Sequence, residues 1–140
     1  MITTSLVCIV DDAADYGFIL KKLLNQSFPT GSVSLFTDGQ TFLDQLPQLS
    51  PLPSLILLDR HMPLLDGHQT LLFLKGHLAY KKIPVIMMSA DASADEINGC
   101  YEAGVNSFLR KPVDFNTMKK QLEILGQYWL EFNLKPVEIE

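Results

Sequence analysis

Short apolar runs recur along the chain, and stretches with helical spacing lie between them. Leu6-Val7-Cys8-Ile9-Val10 is the first run, Val33-Ser34-Leu35-Phe36 the second and Leu55-Ile56-Leu57-Leu58 the third. Val85-Ile86-Met87-Met88 is the fourth and Ser107-Phe108-Leu109 a short fifth. The first, third and fourth show no alternation, which is the pattern of strands buried on both faces of a parallel sheet. Ile19, Leu20, Leu23 and Leu24 predict the inner face of a first helix; Phe42, Leu43 and Leu46 predict a second, and Leu71, Leu74 and Leu78 a third. Ile97, Cys100, Tyr101 and Ala103 predict a fourth, closed by Gly104. Phe115, Met118, Leu122, Leu125 and Trp129 predict a fifth, with Asp114 as its N-cap. Five strand–helix units in a row predict an α/β domain: a parallel sheet with right-handed crossovers and helices on both sides. The prolines from Pro47 to Pro53 mark a loop before the third strand.

Composition narrows the class. The length of 140 residues suits one domain, and 47% apolar against 19% charged residues excludes a disordered chain. The net charge is −5 and the lysines form only isolated pairs, which argues against direct nucleic-acid binding. Cys8 and Cys100 do not make a disulfide framework, and Cys8 reads as a small buried hydrophobe. The first five residues carry no positive charge, so no signal peptide is expected. No window approaches the roughly 20 apolar residues of a membrane span, so a cytoplasmic location is expected.

In open parallel sheets, ligands bind beyond the carboxyl ends of the strands, where the strand order reverses. Asp11 and Asp12 follow the first run, Asp59 the third, Ser89 the fourth and Lys111 the fifth. Singly, each has a bland reading: an aspartate after a strand is often a helix cap, and a loop lysine is usually solvated. Together they conflict, because two like charges ~4 Å apart repel by about 4 kcal/mol at an effective dielectric near 20. A hard divalent cation resolves the conflict, and Mg²⁺ suits a carboxylate site that keeps waters for a phosphoryl ligand. A flavin-phosphate site would need a Ser/Thr/Gly-rich loop where Asp11-Asp12 stands. A dehalogenase-type phosphatase would need Asp-x-Asp, and these two aspartates are contiguous.

Four stretches carry a resemblance. They are Val10-Asp11-Asp12, the segment from Leu57 to Gly67 containing Asp59-Arg60-His61-Met62-Pro63, Met88-Ser89-Ala90, and Phe108-Leu109-Arg110-Lys111-Pro112. In this order they resemble the receiver domain of two-component response regulators. The resemblance implies a flavodoxin-like, doubly wound sheet of five parallel strands, order 2-1-3-4-5, with five helices. It implies that Asp59 is the phosphoacceptor, taking a phosphoryl group from a histidine kinase. Asp12, Asp59 and the His61 backbone carbonyl would ligate Mg²⁺, with Asp11 acting partly through water. Lys111 and Ser89 would bind the phosphoryl oxygens, and Ser89 with Phe108 would form the switch. His61 and Asp91 occupy positions that tune loss of the phosphoryl group in the family. Ser89 departs from the more frequent Thr and keeps the hydroxyl; Phe108 departs from the frequent Tyr and lacks one. A cis Lys111–Pro112 bond is also expected from the resemblance. Zinc binding by His61, His68 and His77 is not expected, since their spacing matches no common site.

Residues 1–126 are therefore expected to form the receiver and 127–140 a tail extending the last helix. Gln127-Tyr128-Trp129-Leu130, continuing to Pro136, is similar to the tail of small stand-alone regulators that partner bacterial phytochromes. The expected function is a signalling switch, not a turnover enzyme; the alternatives are a metal-dependent phosphatase with a covalent aspartyl phosphate and a phosphorelay intermediate. The expected partner is a sensor histidine kinase, a phytochrome among the possibilities. A second apolar row, Ile124, Tyr128 and Phe132 with Leu130 and Leu134, requires a cover: the tail folded back, or the same surface of a second copy in a homodimer.

Overall fold

The computed structural model describes residues 5–137. Five strands, β1 (Leu6–Val10), β2 (Ser32–Phe36), β3 (Leu55–Asp59), β4 (Val85–Ser89) and β5 (Ser107–Arg110), alternate with five helices. The helices are α1 (Ala14–Ser27), α2 (Gly39–Gln45), α3 (Gly67–Gly76), α4 (Ala94–Glu102) and α5 (Phe115–Gly126). All neighbouring strands pair in parallel, in the order β2-β1-β3-β4-β5. The expected doubly wound architecture is present. The chain starts in β1, steps to β2 at one edge, then returns past β1 to β3. That reversal opens a crevice beyond the carboxyl ends of β1 and β3.

The core has two layers because successive side chains of a strand point to opposite faces. Cys8 and Val10 of β1, Ile56 and Leu58 of β3 and Val85 and Met87 of β4 pack beneath α2, α3 and α4. Val7, Ile9, Leu55, Leu57, Ile86 and Met88 pack beneath α1 and α5. β1, β3 and β4 are buried throughout, which explains their unbroken apolar runs.

Caps fix where the helices start relative to the strand ends. Asp66 accepts from the Gln69 backbone N–H while the Gln69 side chain accepts from the Asp66 N–H, and Ser93 and Glu96 repeat the arrangement on α4. Asp114 caps α5 as expected, and Gly104 follows α4 with φ near +99°.

Some expected inner positions lie outside. Ile19, Tyr101 and Phe115 are about half exposed rather than buried, and α3 ends at Gly76, so Leu78 falls beyond it and faces solvent. The last helix does not continue as α: Gln127–Phe132 forms a π-helical turn. The wider turn brings both Trp129 and Leu130 against the α1–α5 core, so Leu130 leaves the second apolar row. Gly126 precedes the turn, and the Phe28 ring lies over it, where a Cβ would sit 2.0 Å from Phe28 Cε2. Beyond the turn, Lys135 Nζ donates to Ser5 Oγ at 2.8 Å, tying the tail to the start of β1. Residues 138–140 of the expected tail, and residues 1–4 of the N-terminus, lie outside the described residues. The expected cis Lys111–Pro112 bond is not found; the cis bond among the described residues is Ser50–Pro51. A trans bond at Lys111 suffices, because the long side chain itself reaches back to the site. Among the described residues no helix is long and apolar enough to cross a membrane.

Gly67 sets how closely α3 approaches the end of β3. A Cβ there would lie 2.2 Å from the Asp59 carbonyl oxygen and 2.8 Å from Arg60 Cα, both backbone atoms that cannot step aside. Gly67→Ala is expected to lower unfolding stability by about 1–3 kcal/mol in urea titrations. Gly76→Ala, with nothing within 4 Å, should leave it unchanged or raise it.

Candidate phosphoacceptor site

Asp11 follows β1 and is buried; its backbone N–H donates to the Phe36 carbonyl at 3.0 Å, holding it in line with the sheet. Both of its carboxylate oxygens are engaged. Oδ1 accepts from the Ala13 N–H at 2.9 Å, and Oδ2 accepts from Lys111 Nζ at 2.8 Å. Lys111 is placed by the sheet too, since its backbone N–H donates to the Ser89 carbonyl at 2.8 Å and prolongs the β4–β5 ladder. Its ammonium also lies 3.3 Å from Asp59 Oδ1. Asp59 closes β3 and is 7% exposed. One oxygen each of Asp11, Asp12 and Asp59 lies within 4.8 Å of the others, with Asp12 on the solvent side.

This crowding shows in the acidity of Asp59. Burial first, and the Asp11 charge second, push its carboxyl up to about 7, against the opposing pull of Lys111. One ammonium does not offset three carboxylates. The donor set, hard oxygens converging at the mouth of a crevice, fits a hard divalent cation.

Ser89 closes β4 and is buried, its hydroxyl oxygen accepting from the Asp91 N–H at 3.3 Å. The His61 ring stands at the rim, partly exposed. Its Nδ1 lies 3.4 Å from Ser89 Oγ and 3.5 Å from Asp91 Oδ1, and its Nε2 lies 2.5 Å from Glu96 Oε2. The ring therefore leans towards β4 and α4; it is not free in solvent. Phe108 is half-buried and packs against the layer beneath α2, α3 and α4. His68 and His77 do not join the site: His77 stacks on Tyr80 with ring centroids 4.4 Å apart.

Three residues of this neighbourhood were not singled out in the sequence. Tyr16, in the first turn of α1, lies under the Lys111 ammonium. Glu96 joins His61 and Arg60, its Oε2 lying 3.5 Å from Arg60 Nη2. Arg60 in turn reaches Asp66 at 3.3 Å. The Ser93 backbone N–H, then the His61 ring, hold the Glu96 carboxyl down at about 2. The Ser93-x-x-Glu96 capping box is readable in the chain, but the partner His61, 35 positions away, is not.

The family model for the response regulator receiver domain matches residues 7–123. The chain belongs to this receiver domain family. It is 30% identical to the probable methanogenesis regulatory protein FilR2 of Methanothrix harundinacea, over 94% of this chain and 87% of that protein. It is 28% identical to the response regulator Rcp1 of Synechocystis, over 89% of this chain and 88% of Rcp1. The crystal structure of the manganese-bound form of Rcp1 superposes with a TM-score of 0.86 at 27% identity, covering 95% of this chain and 99% of that one. The phosphorylated cyanobacterial phytochrome response regulator RcpA shares the fold with a TM-score of 0.90 at 24% identity, covering 96% and 100% of the two chains. This receiver is a phosphoacceptor response regulator of two-component signalling, and the phosphatase alternative is not favoured.

The raised pKa of Asp59 has a stability consequence. In cation-free protein the folded state keeps this proton up to about pH 7, whereas an unfolded aspartate releases it near 3.9. Between these values the folded state binds more protons, so this contribution is fully present below the lower value and is lost as pH rises through the upper one. Chelator-treated receiver should therefore lose stability from pH 5 to pH 8, and Asp59→Asn should remove most of that slope in thermal melts.

Proposed function

We propose that Asp59 is the residue that takes the phosphoryl group, with Lys111 and Ser89 as its catalytic neighbours. The observation that carries this reading is the buried Asp59 carboxyl, pushed up to about 7 by burial and Asp11, with Lys111 Nζ 3.3 Å from its oxygen. In its ionised form, held beside Lys111, Asp59 would be the nucleophile towards a phosphohistidine on a sensor histidine kinase. An Asp59 oxygen bonds to phosphorus as the bond from phosphorus to the histidine nitrogen breaks. Phosphoryl transfer asks mainly for positioning and charge neutralisation. The Lys111 ammonium, already between Asp11 and Asp59, neutralises one developing oxygen. The Ser89 hydroxyl donates to another once it turns from its present contacts. Asp12, Asp59 and the His61 backbone carbonyl are the proposed Mg²⁺ ligands, with Asp11 acting partly through water. That division agrees with both Asp11 oxygens already having partners. When bound, the ion would offset the carboxylate charge and bind phosphoryl oxygens. The manganese-bound structure of Rcp1 supports a divalent ion at such a site.

Ser89 and Phe108 form the proposed switch. The domain reading keeps residues 1–126 as receiver and 127–140 as tail, and the reaction is the protein's own phosphorylation and dephosphorylation, in the cytoplasm. The likeness to the phytochrome response regulator RcpA supports a phytochrome among the candidate kinases.

With a small acyl phosphate donor and Mg²⁺, the parent should form a base-labile phosphoprotein. Asp59→Asn should abolish labelling, and Lys111→Met or a chelator should slow it by at least tenfold, the scale of one well-placed electrostatic partner. Labelling of Asp59→Asn at the parent rate would contradict the assignment. In the same assay, His61→Ala should change the lifetime of the phosphorylated form, because the ring borders Ser89.

We further propose a homodimer through the end of α5 and the tail. Ile124, Tyr128 and Phe132 are 57%, 52% and 71% exposed even though the tail is tied back to Ser5. The folded-back tail thus leaves this row uncovered. Buried aromatics tend to dominate interface energies, so Tyr128 and Phe132 are the expected anchors. Sedimentation should show a dimer for the parent and a monomer for the Tyr128→Asp/Phe132→Asp double variant; a parent monomeric at tens of micromolar, phosphorylated or not, rules it out.

A further inference from the structure

Tyr16 occupies the first turn of α1, and the Lys111 ammonium lies 4.6 Å from the centre of its ring. Two other groups touch that ammonium: Asp11 Oδ2 at 2.8 Å and Asp59 Oδ1 at 3.3 Å. Lys111 is therefore held by two carboxylates and one aromatic face. Its side chain is only 14% exposed, which makes an ammonium–ring contact stronger than at an open surface.

The Tyr16 hydroxyl is buried and has no hydrogen-bond partner among the described residues. Burial, then the Asp11 and Asp59 charges, push the phenol up to about 12, so it stays neutral. An unpartnered buried hydroxyl costs folding stability, so the hydroxyl does not account for the residue's place here. The ring does.

We infer that Tyr16 is a positioning residue for Lys111: its ring face holds the ammonium over the Asp11–Asp59 pair while letting it pivot towards the incoming phosphoryl group. An oxygen acceptor in the ring's place would compete with the phosphoryl oxygens for the ammonium protons. A π face attracts the charge without fixing the direction of any N–H. Lys111 can exchange Asp59 Oδ1 for a phosphoryl oxygen and keep its third partner throughout. This inference rests on the assignment of Asp59 and Lys111 proposed above.

The test uses the full chain and three variants. Tyr16→Phe keeps the ring and removes the hydroxyl; Tyr16→Leu and Tyr16→Met remove the ring and keep an apolar side chain, the second guarding against misfolding of the first. The first readout needs neither phosphate nor cation. Protons above an aromatic ring resonate upfield, so the Lys111 ε-methylene signal should stand upfield of other lysines in the parent and in Tyr16→Phe. It should return to the ordinary position in the ring-less variants. The second readout is the phosphorylation rate at saturating acyl phosphate, with the cation concentration for half-maximal rate. Tyr16→Phe should match the parent; the ring-less variants should be about tenfold slower, with an unchanged cation requirement. In a Lys111→Met background, removing the ring should have no further effect on rate. Parent-like rates without the ring overturn the inference. So does a Tyr16→Phe variant as slow as Tyr16→Leu, which would assign the role to the hydroxyl. If Asp59→Asn labels like the parent, the site assignment itself fails, while the methylene shift still reports the contact.

Discussion

Three carboxylates stand at the reversal point of the sheet with one ammonium among them, and that imbalance governs the structure around it. Asp11 and Asp59 cannot move apart, since Asp59 ends the buried strand β3 and Asp11 directly follows the buried strand β1, its N–H bonded to the Phe36 carbonyl. Burial of Asp59, and then the Asp11 charge, outweigh the pull of Lys111, and the Asp59 carboxyl holds its proton to about pH 7. The site is thus kept short of positive charge, and a divalent cation together with a phosphoryl group suits that deficit. Preorganised charge of this kind does most of its work before the reaction begins.

The fold maintains the conflict through contacts that leave little freedom. Gly67 lets α3 begin directly against the Asp59 backbone, and the Asp66–Gln69 capping box fixes that beginning. On the other side, the Ser89 carbonyl receives the Lys111 N–H, so the lysine enters the site as part of the sheet. The rim is more exposed than the carboxylate pair beneath it. His61 links Ser89 to Glu96, and Glu96 links to the start of α4 and to Arg60. A change at Ser89 therefore has a short path of contacts to the α4 surface.

What could be read in the chain follows from what was buried. β1, β3 and β4 are covered on both faces, so they are written as continuous apolar runs, and the acids just beyond them mark the site. The edge strands β2 and β5 are only partly covered, and their runs are correspondingly weaker. Phe115 begins α5 and points outward, although its spacing continues the inner row. The π-helical turn escaped periodicity because a wider turn shifts Leu130 inward while keeping the same letters. Tyr16 carries no signal in the chain, because it precedes the apolar face of α1 and only the fold brings Lys111 over its ring. Glu96 was legible as a cap and not as the partner of His61, since nothing in a capping box points to a residue on another loop.

The charge conflict is tested most directly by counting the protons displaced when Mg²⁺ binds, using titration calorimetry in buffers of different ionisation enthalpy. With the Asp59 proton held to about pH 7, the account predicts release of close to one proton per ion at pH 6 and almost none at pH 8.5. Asp59→Asn should abolish the release at pH 6. Binding that displaces no proton at pH 6, or as many from Asp59→Asn as from the parent, would contradict it.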